Sequence, residues 1–300
     1  MSLARFAEEA LTPNAARLDH DRAALKETWS AFVAQGLDRF EGLGLFDALP
    51  LLAQHSGAFA FVALQQLVTG CQDPPAGVAF GHLRNPGGPA PLWQDGLVSG
   101  PLPWLTGAGL FERVQLGFRL PDGSEVRAWV AAQDRPEFRH SAPLSLIALS
   151  GTDTRSVMCT NLPVSERAFL SVKPVGTEAR EAAQGVLGQT PLMLGALRAS
   201  LRLLQDSGRG DLGLARAYVA TLEAEIHHAY TSGTADTVGP TLRARAGDLS
   251  VRLARLACMA SGGISLVTGH PAERLYRETL VYSLMAQTDS ILADAFKELA

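Results

Sequence analysis

Cysteine is scarce in this chain, with three cysteines among 300 residues. Cys71, Cys159 and Cys258 are odd in number and lie far apart, and they form no CxxC or CxxH pair. Such a set is typical of free, buried thiols rather than of disulfides or a metal knuckle. We therefore expect a protein of the reducing cytoplasm.

The chain also lacks clusters of basic residues and long apolar runs. Its net charge is −4 and its pI is about 6.0, whereas a nucleic-acid surface needs a basic face. There is no run of 18 uncharged apolar residues, and charges recur every few residues at the N-terminus. This pattern indicates neither a membrane span nor a signal peptide. We expect neither nucleic acid nor membrane as a partner.

Several motifs that carry chemistry are missing. The sequence has no P-loop, no GxSxG elbow and no HExxH spacing. His227 and His228 are adjacent on a predicted helix, so their side chains point about 100° apart. We therefore expect no metal site.

The pattern of the sequence changes twice along the chain, from helical to strand-like and back to helical. Forty-seven per cent are hydrophobic, which is enough for a large core. The pattern predicts a helical domain over 1–70, a small β domain over 71–175 and a helical bundle over 176–300. In the first domain, Leu25, Trp29, Phe32 and Val33 follow helical spacing, and Gly36 ends that helix.

The middle of the chain has the alternation of short strands. Val114, Leu116 and Phe118 alternate with polar residues, the PDGS turn follows, and the return strand alternates again over 126–130. The pattern predicts local hairpins without a βαβ crossover. A doubly wound nucleotide-binding fold is thereby excluded.

The last part of the chain reads as four helices of an up-and-down bundle. The predicted helices cover 180–208, 212–230, 238–263 and 271–300. Pro191 inside the first of them predicts a kink, because proline lacks the N–H that a helix interior needs. The third ends at the paired glycines Gly262 and Gly263.

Three motifs occur in an order that resembles the acyl-CoA dehydrogenase flavoprotein superfamily. They are GLVSGPLPWLTGAG (96–109), ALSGTDTRSVMCTNLPVSERAFL (148–170) and SGGISLVTGHPAERLYRETLVYSLMAQTDSI (261–291). The resemblance covers nearly the whole chain. The chain is shorter than typical members of the family, and most of the difference is in the first helical domain. It implies an α+β, mainly α fold: an N-terminal helical domain, a central antiparallel β domain and a C-terminal four-helix bundle.

The resemblance also implies a cofactor, FAD, and residues that contact it. Trp104 would stack on the isoalloxazine ring, and the Thr106 hydroxyl would contact a ring nitrogen or carbonyl. Gly262 and Gly263 would lie beside the flavin of a neighbouring subunit, and Thr288 aligns with the threonine of the family's Glu-Gly-Thr segment. From the residues alone, without the motif order, a plain anchor of the β domain is the favoured interpretation of Trp104, and a helix C-cap is that of the glycine pair.

The same comparison implies a homo-oligomer, dimer or tetramer, that acts on an acyl-CoA or another small organic substrate. Arg274 and Arg277 share a helix face, and we interpret both as structural ion-pair residues, with Glu278 as the acid beside Arg277.

The sequence departs from the family where a catalytic base is needed. Ala286 stands at the usual glutamate position, and Gln184 stands at the alternative position on the bundle's first helix. Neither side chain can accept a proton as a carboxylate does. Glu178 and Glu181 lie about one turn away and remain alternatives.

The sequence also departs from the family in the motifs that bind the cofactor. The family's Arg-x-Thr-Phe-Gly motif for the flavin pyrophosphate has no counterpart, and Arg209 is the nearest cation. Met259 replaces the glutamine that usually precedes the glycine pair.

Three functions stay open on this basis. The first is an acyl-CoA dehydrogenase-like FAD enzyme that oxidises a thioester at its α,β carbons, with the usual glutamate replaced by Ala286. The second is a flavin-dependent monooxygenase of the same fold, which needs an apolar pocket rather than a carboxylate. The third is a non-catalytic relative that has lost the cofactor.

Overall fold

The structure, a computed structural model, describes residues 1–85, 88–285 and 288–297. Helices form the first and the last part of the chain, and the strands lie between them. The helices before the sheet are short, and a π-helical turn (Ala7–Leu11) follows the first of them. They are α1 (Leu3–Phe6), α2 (Ala15–His20), α3 (Arg22–Ala34), α4 (Leu45–Ala53) and α5 (Gly57–Val68).

The local sequence explains where α3 begins and ends. The Asp21 carboxylate accepts the backbone N–H groups of Ala23 and Ala24 at 2.9 and 3.1 Å, which caps the helix N-terminus. The helix stops at Ala34, and Gly36 takes a left-handed φ of 68°. The predicted apolar stripe and the predicted stop are both confirmed.

One sheet of eight strands occupies the middle of the chain. Its order is β6-β7-β3-β2-β4-β5-β8, and β1 pairs with β4 outside this path. The strands are β1 (Ala76–Ala79), β2 (Leu92–Gln94), β3 (Leu97–Leu105), β4 (Arg113–Arg119), β5 (Glu125–Ala131), β6 (Phe138–His140), β7 (Arg155–Pro163) and β8 (Phe169–Lys173).

The predicted hairpin is confirmed as β4 and β5. The two strands pair antiparallel from Arg113 opposite Ala131 to Arg119 opposite Glu125. The Asp122 carboxylate accepts the Ser124 N–H at 2.9 Å and fixes the turn between them.

The prediction that the sheet contains local hairpins alone is wrong. Strand β3 pairs with β7, which follows it by about fifty residues, and β1 runs parallel to β4. A pattern of alternation reveals that a segment is a strand but not which distant strand it meets.

The helices after the sheet form the predicted bundle, in which α9 contacts α7, α8, α10 and α11. Including the short helix that precedes them, they are α6 (Thr177–Gln184), α7 (Thr190–Asp206), α8 (Gly213–Ser232), α9 (Ala235–Ser261), α10 (Pro271–Leu284) and α11 (Asp289–Lys297). The α+β, mainly α class with a C-terminal bundle is confirmed.

Two details of the predicted bundle differ from the structure. Pro191 does not kink a long helix but lies in the first turn of α7, where its missing N–H has no helical partner to lose. In place of the predicted single last helix, the structure has α10, which ends at Leu284, and α11, which begins at Asp289.

The helices of both chain ends share one apolar core, whereas the sheet has its own. Phe6, Phe32 and Phe59 from the N-terminal helices belong to the same cluster as Leu197 of α7 and Leu275 of α10. The boundaries of the three predicted domains remain a prediction. In the described part of the chain, no helix has the length and apolarity to cross a membrane.

Candidate functional site

Trp104 lies near the end of β3 and is 56% exposed, although Leu102 and Leu105 around it are fully buried. An indole ring presents a large apolar face, and such rings are usually covered in folded proteins. The position therefore offers a free aromatic surface at the edge of the sheet's core.

Thr106 follows Trp104 but lies inside the protein, where it is 6% exposed. Its hydroxyl is 3.2 Å from the Thr154 hydroxyl, which in turn is 2.8 Å from that of Thr152. The Gly107 N–H donates to the Thr152 carbonyl oxygen at 2.8 Å. The motifs at 96–109 and 148–170 are thus joined by a buried chain of threonine hydroxyls.

Gly262 ends α9 with φ 71° and ψ −156°, a conformation that residues with a Cβ rarely adopt. Its N–H is directed at the carbonyl oxygens of Cys258 and Met259, as in a helix C-cap. No atom lies within 4 Å of a Cβ built on Gly262 or on Gly263. The pair therefore caps the helix and leaves its backbone open to an approaching group.

A cleft of about 380 Å³ lies between the α7–α8 connection and the C-terminal part of α9. It is lined by Arg209, the cation nearest in sequence to the missing arginine motif, and by Met259, which replaces the family's glutamine. Asp211 lines it as well, and its carboxylate accepts the Gly213 N–H at 2.8 Å. The cleft thus holds one basic and one acidic side chain among apolar neighbours.

Thr288 lies at the start of α11, and its hydroxyl accepts the Ile291 N–H at 3.3 Å. This contact gives it a capping role at that helix. Ala286 and Gln287, which stand at the glutamate and glycine of the family segment, lie outside the described residues.

Asp19 and Arg277 connect the three parts of the chain. Arg277 donates to the Asp19 carboxylate and to the Ile147 carbonyl oxygen, both at 2.8 Å. The other Asp19 oxygen accepts the Leu149 N–H at 2.7 Å. Hydrogen bonds to Glu273 and Asp19 raise the pKa of Arg277, so this cation stays charged.

The ion-pair partners of the two arginines follow from this geometry. Arg277 pairs with Glu273 and Asp19, whereas Glu278 pairs with Arg274 at 2.6 Å. Glu278 is fully buried, and burial raises its pKa despite the nearby arginine. Both arginines have structural partners, as the sequence predicts.

The carboxylates that could replace the missing base are held in ion pairs. Glu178 is 2% exposed and pairs with Arg127 and with Lys173. Burial alone would raise the pKa of Glu178, but the hydrogen bonds and charges of these two cations outweigh it and lower the pKa. Glu181 pairs with Lys173 at 2.6 Å. Glu178 is thus held as a buried ion-pair partner, whereas Glu181 is 46% exposed.

Gln184, at the alternative base position, lines a separate cleft of about 360 Å³ between the α6–α7 connection and the α8–α9 turn. Among the residues that the structure describes, no group of three or more His, Cys, Asp and Glu side chains could hold a metal ion.

Solved structures provide the comparison that decides the fold. The chain aligns over 99% of its length with a glutaryl-CoA dehydrogenase from Mycobacterium smegmatis in complex with FADH2, at 15% identity, a TM-score of 0.71 and 92% coverage of that chain. Butyryl-CoA dehydrogenase from Megasphaera elsdenii aligns over 99% of this chain and 96% of its own, at 15% identity and a TM-score of 0.70. The chain has the acyl-CoA dehydrogenase fold.

The acyl-CoA dehydrogenase fold also occurs in a nitrososynthase from Micromonospora carbonacea var. africana. That structure aligns over 99% of this chain and 94% of its own, at 19% identity and a TM-score of 0.76. No protein-family sequence model matches the chain, and no curated protein sequence matches it. The likeness is therefore one of structure at low sequence identity.

Within this acyl-CoA dehydrogenase fold, the predicted site residues lie on different elements. Trp104 is in β3, Thr106 lies in the turn directly after that strand, Gly262 and Gly263 follow α9, and Thr288 precedes α11. That they border one crevice, within one subunit or across two, remains a prediction. Sequence reasoning missed Asp19 and Thr154, because their partners are distant in the chain.

Proposed function

We propose that this chain is a flavin-dependent oxidoreductase of the acyl-CoA dehydrogenase fold, with FAD as its cofactor. The observation that supports this most is Trp104, a ring left 56% exposed at the position where the resemblance places the face of the isoalloxazine. A flat apolar ring beside a second one gains contact area and offset stacking.

The residues of this chain have distinct parts in that proposal. Trp104 would bind and orient the ring, and the Thr106–Thr154–Thr152 hydroxyls would hold the strand that carries it. The open backbone at Gly262 would let a second flat or polar group approach. The bound flavin would supply the transfer of electrons to or from the substrate.

The reaction class that we favour depends on whether a carboxylate is available to act as a base. Oxidation of a thioester at its α,β carbons needs a base at the α carbon, but position 286 is alanine and position 184 is glutamine. Glu178 is buried in ion pairs with Arg127 and Lys173, and the exposed Glu181 pairs with Lys173. We therefore favour a monooxygenase, in which the substrate gains one oxygen atom of O2 and the other leaves as water, with electrons from a reduced flavin.

An acyl-CoA dehydrogenase with a displaced base is the second candidate. Its support is the likeness to two acyl-CoA dehydrogenase structures over 99% of this chain. Further proposals are a small organic substrate, a homo-oligomer held together by the C-terminal bundle, and a cytoplasmic location.

Absorbance and binding of flavin test the proposal. We expect the purified protein to show oxidised-flavin bands, or to acquire them with FAD or FMN. Trp104→Ala is expected to weaken flavin binding about tenfold, since stacking on an aromatic ring contributes 1–3 kcal/mol. Leu170→Ala is the matched control, because Leu170 is 47% exposed on β8, at the far edge of the sheet.

Two further measurements separate the reaction classes. Oxygen uptake with reduced flavin and a substrate supports the monooxygenase. Anaerobic bleaching of the bound flavin by an acyl-CoA supports the dehydrogenase instead. A colourless protein that neither FAD nor FMN can reconstitute would contradict both and leave the non-catalytic relative.

A further inference from the structure

The cleft that Gln184 lines, between the α6–α7 connection and the α8–α9 turn, has a single ionised side chain in its described wall. Asp236 supplies it, and no lysine, arginine or histidine lines the cleft among the residues that the structure describes. Its volume of about 360 Å³ lies within the range of pockets that bind small organic molecules. We call it the Asp236 cleft.

The Asp236 carboxylate is available to a ligand. Asp236 is exposed in the first turn of α9, and one of its oxygens accepts the Thr237 hydroxyl at 3.2 Å. It forms no ion pair with any residue in 1–85, 88–285 or 288–297. Arg180, one turn before Gln184 on α6, donates instead to the Thr177 hydroxyl at 2.9 Å. The second oxygen of Asp236 can therefore accept a hydrogen bond from a ligand.

The ends of two helices meet at the Asp236 cleft. Helix α8 ends at Ser232, with Gly233 as its cap, and α9 begins at Ala235. The C-terminus of a helix carries about half a negative charge and the N-terminus about half a positive charge, so these two contributions oppose one another. The charge of Asp236 therefore decides the sign of the electrostatic potential in the cleft, which favours a cation.

Two further side chains in the wall suit a cation. The Tyr230 ring is 49% exposed and packs on the Phe46 ring, with 4.4 Å between the centroids. The face of such a ring attracts an ammonium ion. The exposed Gln184 side chain makes no hydrogen bond within the described part of the chain, so its amide oxygen can accept one. No atom lies within 4 Å of a Cβ built on Gly188 or Gly233, which leaves the backbone accessible there.

We propose that the Asp236 cleft binds a small primary ammonium ion with a short apolar chain. An ammonium group carries three N–H donors and no acceptor. The cleft offers it a carboxylate, an amide oxygen and an aromatic face, and Leu187 and Ala235 in the same wall would contact the chain. Flavin chemistry does not require this ligand, so the site is independent of the proposed function.

NMR titration of n-butylamine with the full chain, followed on the ligand signals, tests the site. The amine is protonated at neutral pH, as a lysine side chain is. We expect saturable binding at constant ionic strength in potassium chloride. n-Butanol has the same chain without the charge, and tetramethylammonium has the charge without the donors. Both are expected to bind at least about tenfold more weakly, because each lacks a hydrogen bond between charged groups.

Asp236→Asn is expected to weaken the binding of n-butylammonium about tenfold, because a neutral amide replaces the carboxylate. Tyr230→Leu is expected to weaken it about threefold, since the attraction of an exposed ring for a cation is modest. Asp248→Asn is the matched control. Asp248 is another exposed acid of α9, but it pairs with Arg252 at 3.2 Å and does not line the cleft. Its replacement is expected to leave binding unchanged.

Gln184→Leu changes the cleft from the side of α6, so it tests the site even if Asp236→Asn destabilises the start of α9. We expect binding about threefold weaker, with the melting temperature unchanged, because the exposed Gln184 side chain has no partner to lose within the described residues.

Four results would overturn the proposal. The first is the absence of saturable binding of n-butylammonium to the unaltered chain. The second is equal weakening by Asp236→Asn and Asp248→Asn, which would show attraction to surface charge in general. The third is unchanged binding in Gln184→Leu. The fourth is binding of n-butanol or tetramethylammonium as tight as that of n-butylammonium, which would show that a primary ammonium group is not what the cleft recognises.

Discussion

Gly57 is the residue that allows α5 to approach α10. A Cβ built on it would lie 2.1 Å from the Tyr282 hydroxyl oxygen and 2.5 Å from the Glu278 side chain. Both of these groups are fully or almost fully buried. Glycine at the first turn of a helix costs conformational entropy, and here the close contact with α10 explains its presence.

Gly57→Ala is therefore expected to destabilise the protein by about 3 kcal/mol, because buried overpacking forces side chains from their positions. Elsewhere in a helix, the same change would stabilise. Urea unfolding measures the difference. Gly81→Ala is the control, since no atom lies within 4 Å of its Cβ position, and an equal effect of both substitutions would contradict this account.

Single residues also show what the sequence could not reveal. Trp104 was accessible to prediction because its motif is local, and the structure places it exposed at the end of a strand. Asp19 was not, because its partners Leu149 and Arg277 are 130 and 258 positions away. Nothing in the residues around Asp19 indicates that its carboxylate is buried.

At the scale of elements, hydrogen bonds to a carboxylate and an ion pair hold α6 against the sheet. Glu125 of β5 accepts the N–H groups of Gly176 and Glu178 at 3.0 and 2.8 Å, at the helix N-terminus. Arg127 on the same strand pairs with Glu178 and lies 3.7 Å over the Phe80 ring. This attachment holds Glu178 as a fixed anion.

Glu178→Gln is expected to lower the free energy of unfolding by about 3 kcal/mol at neutral pH, since it removes one partner of a buried ion pair. The pKa of Glu178 is lower in the folded protein than its ordinary value of 4.5. Its stabilisation is thus present above that value and is lost as the pH falls through the folded-state pKa.

Urea unfolding of both proteins between neutral and acidic pH measures this effect. The two curves of stability against pH are expected to converge in acid. Glu181→Gln is the control, because Glu181 is 46% exposed and its ion pair contributes little. A difference that is constant over this pH range would show that the carboxylate's charge is not responsible.

Elements differ in how well the sequence predicts them. The hairpin of β4 and β5 is predictable because strand, turn and return strand are contiguous. The pairing of β3 with β7 is not, because the chain between them gives no signal of register. Pro191 would kink a helix that continued through it, but it begins a helix when the preceding one has already ended. Here α6 ends at Gln184 and the 3₁₀ turn Val186–Gln189 follows, so Pro191 lies at the start of α7.

At the scale of the whole molecule, Asp19 joins the N-terminal helices, the sheet and the bundle through one carboxylate. Asp19→Asn removes the charge opposite Arg277 but keeps an oxygen for the Leu149 N–H. We expect a loss of about 3 kcal/mol in the free energy of unfolding, because the partly buried Arg277 loses its ion pair with a buried carboxylate.

Chemical unfolding followed by tryptophan fluorescence measures this loss, since Trp29 lies in the shared helical core. Asp248→Asn is the control: Asp248 is 44% exposed and pairs with Arg252 at 3.2 Å on the surface of α9. A change below 0.5 kcal/mol is expected there. Equal effects at positions 19 and 248 would show that burial of the first pair is unimportant.

The core shared by both chain ends has a consequence for synthesis on the ribosome. Helices α1–α5 are made before α7 and α10, which pack on α2, α4 and α5 in the same apolar core. Nascent domains fold when their own contacts are complete. Residues 3–68 must therefore wait, with apolar surface uncovered, until α10 has left the exit tunnel, and chaperone contact with that surface is expected during the delay.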